Sequence, residues 1–159
     1  MIIHLSELSA DERRFEGTEP DDVMGLSEGD PVRVEGPIRY DLSVERVSGE
    51  MIVRGSIAAH VVFNCARCTR RSSLEVEDRA FARAYDLQEG PVPWAEKGES
   101  VDLTPDIREA TILNLPAYPV CKPDCLGLCP RCGADLNAGK CDCKPVQGFR
   151  WGELDKLKM

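Results

Sequence analysis

Histidine is nearly missing from this chain of 159 residues, which has two, and aromatic residues make up only 6% of it. With His4 and His60 alone, a Ser/His or Cys/His catalytic pair has few candidates, and His60 falls on the polar side of an alternating stretch, where it reads as a surface residue. No GxxxxGK[ST] or GxGxxG run is present to cradle a phosphate. No apolar run approaches the roughly 18 residues that a membrane helix needs. The segment Met1–Glu7 shows no basic n-region, long apolar stretch or cleavage site, so a soluble, cytoplasmic protein is expected. Excess positive charge is missing too, since 28 acidic residues face 20 basic ones for a formal net charge of −8. Residues 1–50 hold 13 acidic and 5 basic side chains, while residues 51–159 hold 15 of each and balance. An acidic chain repels phosphate backbones, which argues against non-specific nucleic-acid binding and leaves a basic protein as open a partner as RNA. The acidic third itself reads as a solvated surface.

What the chain does have is cysteine. Eight fall in four close pairs: Cys65/Cys68 (CxxC), Cys121/Cys125 (CxxxC), Cys129/Cys132 (CxxC) and Cys141/Cys143 (CxC). A tetrahedral zinc ion takes four thiolates, commonly from two short chelating loops. Four pairs therefore predict two four-cysteine sites and about two zinc ions per chain. Cys129/Cys132 and Cys141/Cys143, eight residues apart, read as one local zinc ribbon, which leaves Cys65/Cys68 and Cys121/Cys125 to share the other ion across 52 residues. A disulfide framework needs an oxidising compartment, and the compact CxxCxxCxxxCP run of an iron–sulfur protein is not there. A thioredoxin-like CxxC should open a helix in a βαβ unit, whereas Cys65 follows a strand-like run. Zinc is the favoured reading.

Three stretches alternate with period 2, the pattern of strands with one buried face. Val32, Val34, Ile38, Tyr40, Leu42 and Val44 share one side of the first, and Met51, Val53, Ile57, Ala59, Val61 and Phe63 one side of the second. In the third, Leu74, Val76, Ala80, Ala82 and Ala84 align, with Glu75, Glu77, Arg79 and Arg83 opposite. Gly36-Pro37 and Gly55 mark bulges or bends, and Ser48-Gly49 supplies a turn. The second and third stretches form a hairpin whose tip, Cys65-Ala66-Arg67-Cys68, is half a metal site. Residues 86–101 have no period and read as a loop. Thr104 as N-cap and Pro105 at the first helical position start a helix that stops near Asn114, before Pro116. Its apolar residues Ile107, Ala110, Ile112 and Leu113 spread round more than one face, which predicts cover on several sides. Trp151, Leu154 and Leu157 suggest a short C-terminal helix.

The expected fold is α+β: a mainly antiparallel β-sheet of long bent strands, able to curl towards a barrel, covered by one helix, with a C-terminal zinc ribbon. The expected organisation is a β-rich domain over 1–120 with the CxxC hairpin knuckle, a zinc-binding ribbon over 121–148 and a short helix over 149–159.

The order of motifs resembles the YceD family, described as large ribosomal RNA subunit accumulation proteins. The resemblance is carried by Cys65-Ala-Arg-Cys68 after a strand, by Glu109, Leu113 and Pro116 ahead of a cysteine, and by Cys125-Leu-Gly-Leu-Cys129-Pro-Arg-Cys132-Gly. Asp135-Leu136-Asn137, Cys141-Asp-Cys143 and the closing Arg150, Leu154 and Leu157 complete it. Some family members lack the last four cysteines and keep the earlier pairs, which agrees with two separate sites. Leu126, at a place often polar or basic, and Gly148-Phe149, where Asp-Pro is common, depart from the pattern without touching a cysteine. The resemblance implies a role in large-subunit rRNA accumulation and no catalytic activity.

The leading expectation is a non-enzymatic zinc-binding factor in ribosome biogenesis, with large-subunit pre-ribosomal RNA or ribosomal proteins as partners and no small-molecule substrate. Pairing all eight cysteines leaves no open coordination position for catalysis. Contact candidates are Arg67, Arg70 and Arg71 round the hairpin tip and Arg131, Lys140 and Lys144 round the ribbon. The plainer role for these six is to offset the charge of four-thiolate sites. Two other classes stay open: a redox-switched zinc chaperone, which would eject zinc under peroxide, and a transcription-associated zinc ribbon, which would bind RNA polymerase.

Overall fold

A computed structural model describes residues 1–8, 11–27, 29–87 and 100–143. Its elements are β1 (Ile2–His4), β2 (Arg13–Glu19), β3 (Val32–Val34), β4 (Ile38–Val47), β5 (Glu50–Asn64), β6 (Arg71–Asp86), β7 (Ser100–Asp102) and α1 (Thr104–Leu113), with single 3₁₀ turns at Leu5–Glu7 and Asp21–Met24. The expected C-terminal helix, Lys144 and most of the 86–101 loop lie outside the described residues.

All strand pairing is antiparallel, and β5 is the centre of the main sheet. One edge of β5 carries β6; the other carries β4 along Glu50–Ala58 and β3 along Val61–Phe63. The first alternating stretch is thus one strand interrupted at Glu35–Pro37, where proline has no N–H to give and the register slips by two residues. On the far side of β4 lies β2, a strand the sequence did not announce because charged residues fill most of its alternate positions. Among the described residues β2 and β6 do not meet, so the sheet bends without closing into a barrel. The Ser48-Gly49 turn between Val47 and Glu50 has positive φ at both residues (51° and 92°), the two-residue hairpin geometry that suits strand twist.

The inward face of β5 is as its alternation predicts: Met51, Val53, Ile57, Ala59, Val61 and Phe63 are all buried. The expectation for β6 fails halfway. Gly55 pairs with Phe81 but Ile57 with Asp78, so Arg79 and Ala80 together face Ser56. This extra residue reverses the alternation. Phe81 and Tyr85 are buried, Ala80 and Ala82 are exposed, and Arg83 joins the core side that the sequence had reserved for alanines.

That reversal creates the anchor for the helix. Asp106 accepts from the Tyr85 hydroxyl (2.5 Å) and from Arg83 Nε (3.0 Å), and the Arg83 guanidinium also lies over the Phe81 ring at 5.4 Å. Burial and the Asp106 carboxylate both push the Tyr85 hydroxyl well above its ordinary pKa. The helix turns Ile107, Ala110 and Thr111 inward and touches β5, β6 and the Asp21–Met24 turn, with Ile112 half-buried against the core, while Leu113 is left 72% exposed. Thr104 is not the N-cap. Leu103 holds that position, and the Thr104 N–H is taken by Asp102 Oδ1 at 2.9 Å. The small β1–β7 ribbon, the Asp21–Met24 turn and α1 together cover the inward face, contributing Ile3, Met24, Val101, Leu103 and Ile107 to a single core.

Asp106→Ala should cost about 2–4 kcal/mol, because a buried hydroxyl and a half-buried guanidinium lose their acceptor. Glu109→Ala, which removes only a 3.5 Å contact of a 61% exposed carboxylate to Arg83, should stay within about 0.5 kcal/mol. Urea denaturation of both variants makes the comparison.

The outward face is closed electrostatically on itself. Arg14 reaches Asp41 (2.7 Å), Arg39 reaches Glu75 (2.8 Å), Arg71 reaches Glu35 (3.0 Å) and His60 Nδ1 lies 3.0 Å from Glu75. The Glu75 carboxyl is held below its usual range by Arg39 and then by His60.

Candidate metal centres

Two quartets of cysteine sulfur come together, Cys65/Cys68/Cys121/Cys125 and Cys129/Cys132/Cys141/Cys143, and within each the sulfurs lie within 4.8 Å of one another. These are the sets that the spacing had paired. In the first, Cys65 Sγ is 3.8 Å from Cys125 Sγ and Cys68 Sγ is 3.6 Å from Cys121 Sγ. A disulfide would need about 2.05 Å. Four thiolates tetrahedrally placed about 2.3 Å from a zinc ion would stand about 3.8 Å apart. The donor set and its spacing therefore fit a tetrahedral metal ion at both places.

Each quartet is built on the same local turn. In the hairpin tip the Cys65 N–H donates to Arg70 O (2.9 Å), the Thr69 N–H to Cys65 O (2.9 Å) and the Arg67 N–H to Cys65 Sγ (3.4 Å). In the ribbon the Cys129 N–H donates to Ala134 O (2.8 Å), the Gly133 N–H to Cys129 O (2.9 Å) and the Arg131 N–H to Cys129 Sγ (3.5 Å). The fifth residue of each turn is left-handed, Thr69 at φ 59° and Gly133 at φ 72°. Glycine adopts that conformation freely, whereas a β-branched threonine does so under strain.

The surrounding groups share out the protons unevenly. Burial opposes ionisation of Cys65, yet the N–H groups of Cys121, Cys68 and Arg67 outweigh it and bring its pKa down to about 6. The N–H groups of Cys132 and Arg131 bring Cys129 down to about 6 as well. Cys121 moves up to about 12 through burial, and Cys143 up to about 12 chiefly through its hydrogen bond with Cys132. Each quartet thus forms one thiolate readily, while Cys68 and Cys121 in the first and Cys141 and Cys143 in the second resist ionisation, because several anions in one small volume call for a cation.

The two sites differ in depth. Cys65, Cys68 and Cys125 are buried, with Val120 and Leu128 packed round them, whereas Cys132 is exposed. The first quartet joins the β5–β6 hairpin tip to the segment after α1, which is further fastened by the Ala66 N–H on Pro119 O at 2.8 Å.

The expected contact arginines are largely engaged within the molecule. Arg67 Nη1 donates to Cys125 O (2.9 Å) and Pro123 O (3.3 Å), Arg70 pairs with Asp135 (3.1 Å) and Arg71 with Glu35. Arg131 and Lys140 are exposed, and their side chains have no partner among the described residues. Tyr118 (85% exposed) and Leu126 (66%) stand in solvent in the same stretch of chain. Sequence reasoning attached no role to Asp135 and Asn137 beyond their place in a family motif, since an Asp-Leu-Asn run in a loop carries no signal of what it will touch.

Comparison with known proteins matches residues 53–158 to the family model described as large ribosomal RNA subunit accumulation protein YceD. An uncharacterized protein of Mycobacterium tuberculosis is 41% identical over 124 residues, 74% of this chain and 60% of that protein. An uncharacterized protein of Mycobacterium leprae is 35% identical over 107 residues, 63% of this chain and 49% of its own length. A chloroplastic protein of Arabidopsis thaliana, named large ribosomal RNA subunit accumulation protein YCED homolog 1, is 25% identical over 171 residues, 86% of this chain and 51% of its own. The chain spans 49–60% of the length of these three relatives. No solved structure matches it. Among the described residues no helix is long and apolar enough to cross a membrane. With the family model covering most of the chain from β5 onward, cysteine quartets included, this chain belongs to the YceD family of large ribosomal RNA subunit accumulation proteins.

Proposed function

We propose that this protein is a zinc-stabilised, non-enzymatic binding factor that supports accumulation of large-subunit ribosomal RNA in the cytoplasm. The observation that carries this reading is the coincidence of a YceD family match over residues 53–158 with two closed four-sulfur sites inside that same span. A site with four cysteine ligands fills the tetrahedral shell of zinc and leaves no position for a reactive water, so the metal supplies folding energy and not chemistry. All eight cysteines, Cys65, Cys68, Cys121, Cys125, Cys129, Cys132, Cys141 and Cys143, are assigned as ligands of about two Zn²⁺ ions. Metal analysis of freshly purified protein tests this.

For the partner surface the reading favours the ribbon over the hairpin tip. Arg67 is a strut between two loops, and Arg70 and Arg71 already have carboxylate partners. Of the contact candidates among the described residues, Arg131 and Lys140 are the two whose side chains have no partner, and the apolar Leu126 lies in the same loop system. Net charge of −8 weakens any long-range attraction to RNA, so contact with an assembling large subunit is short-ranged and salt-sensitive. Arg131→Ala with Lys140→Ala should keep fold and zinc content while weakening association with pre-ribosomal particles roughly tenfold or more, since each charge-assisted contact is worth about 1.5–3 kcal/mol. Sucrose-gradient profiles and the ratio of large- to small-subunit rRNA report it. Normal ratios with normal zinc would remove this face from consideration. The family's description lends no support to a redox-switched chaperone or a polymerase-associated ribbon.

A further inference from the structure

The loop of the second quartet reaches back into the first. Asn137, between Cys132 and Cys141, donates from Nδ2 to Cys125 Sγ at 3.5 Å, and its Oδ1 accepts from the Leu126 N–H at 2.9 Å. Its amide is held in that orientation by Asp135, whose Oδ1 accepts both the Asn137 side chain (2.7 Å) and its backbone N–H (2.9 Å). Asp135 is itself fixed from the hairpin side by Arg70 at 3.1 Å. The Asp135 carboxyl sits below its ordinary range because of these Asn137 bonds first and Arg70 after them. Next to this contact the Leu128 N–H donates to Arg67 O (3.1 Å), and the Leu136 N–H to Gly127 O (2.9 Å). One side of Asn137 therefore belongs to the ribbon and the other to a sulfur of the hairpin-tip site.

We propose that Asn137 is a positioning residue through which closure of the second four-cysteine site tightens metal binding at the first. This rests on the reading of both quartets as metal sites. A thiolate ligand holds part of its charge in excess of what the metal takes, and an N–H aimed at the sulfur stabilises that excess and fixes the direction of the lone pair. Asn137 can aim its amide only while residues 133–140 hold their fold, and those residues are fastened at both ends by cysteines of the second quartet. Emptying the second site releases the loop, withdraws the amide from Cys125 Sγ and weakens the first. By reciprocity, filling the first site favours the loop conformation that closes the second. The sharing is one-directional in its residues: among the described residues no side chain from the hairpin tip is within hydrogen-bond distance of a sulfur of the second quartet.

The test is a metal titration of the full, reduced chain with Co²⁺ and then Zn²⁺ in the presence of a competing chelator. Asn137→Ala should lower affinity at the first quartet by about 10- to 100-fold, the usual cost of removing such a supporting group. It should also shift the sulfur-to-cobalt charge-transfer band to longer wavelength, because a sulfur without its N–H gives up an electron more easily. A merely structural loosening would weaken binding without that shift. Cys141→Ser with Cys143→Ser, which disables the second site, should weaken the first by a similar factor in the native background and by little once Asn137 is alanine. Asp135→Ala, which leaves the amide in place but unsteered, should give a smaller loss in the same direction and guards against misfolding in any one variant. If Asn137→Ala leaves affinity and band position at the first site unchanged, the proposal fails. If disabling the second site weakens the first equally in both backgrounds, Asn137 is not the link and the proposal fails as well. A chain that binds no metal at either quartet would instead overturn the functional reading on which this one rests.

Discussion

Cys68→Ser should loosen the whole domain, whereas Cys141→Ser should chiefly unravel residues 126–143. The two substitutions are chemically identical, and the difference lies in what each quartet ties together. Cys65 and Cys68 are at the tip of the β5–β6 hairpin, and Cys121 and Cys125 follow α1, so the first site closes a long loop that carries the covering helix. The second site spans residues 129–143 alone. Structural zinc supplies on the order of 10–16 kcal/mol of apparent binding free energy in small peptides, as much as the roughly 5–15 kcal/mol that holds a whole domain folded. With zinc held at each quartet as proposed, losing one of four thiolates would forfeit a large share of that term, and at the first site the loss would fall on the contact between hairpin, Pro119 and helix end. Hydrogen exchange separates the outcomes. In Cys68→Ser, amides of β5, β6 and α1 should lose protection together. In Cys141→Ser they should keep most of it, with only the weaker effect relayed through Asn137. Equal loss of protection across the sheet in both variants would count against this division of labour.

Gly55→Ala should cost about 3 kcal/mol or more, among the largest effects of any single methyl group in the chain. A Cβ on Gly55 would lie 2.1 Å from the Asp41 carbonyl oxygen and 2.9 Å from Leu42 Cα, and both are backbone atoms of the paired strand β4. Neither can swing aside as a side chain would, so relief requires β4 and β5 to part. The residue also has φ of 155°, which side chains rarely adopt, and it stands where the β6 bulge begins, so any shift is passed on to Phe81 and to the Tyr85–Asp106 anchor. Overpacking against movable side chains typically costs 1–3 kcal/mol, and against fixed backbone the upper end is the expectation. Gly139→Ala is the control: nothing lies within 4 Å of its Cβ position, and stability should change by less than about 0.5 kcal/mol. Paired urea denaturation curves decide it, and a Gly55→Ala protein as stable as the native one would mean that the close approach of β4 and β5 is not maintained in solution.

The sequence alone determined what depends on neighbours along the chain. Period 2 named the inward residues of β5, Ser48-Gly49 named the tight turn, and Pro116 limited the helix, because strand pleat, turn dihedrals and proline sterics are local properties. The pairing of the cysteines was also legible, since each chelating loop is a few residues long and four of them divide most simply into two tetrahedral sets. What crosses between strands was not legible. The extra residue opposite Ser56 is invisible in the β6 sequence, yet it sent Phe81 and Tyr85 inward and turned Arg83 from a surface charge into the partner of Asp106. The separation of β3 from β4, the charged edge strand β2 and the small β1–β7 ribbon depend likewise on partners far away in the chain. The same holds at the two cysteine quartets. Arg67, Arg70 and Arg71 looked free because their acceptors, Cys125 O, Asp135 and Glu35, lie between 36 and 65 residues distant. Only folding brings Asn137 to Cys125 Sγ, because a side-chain amide has no preference for one distant sulfur until two loops have been closed around it.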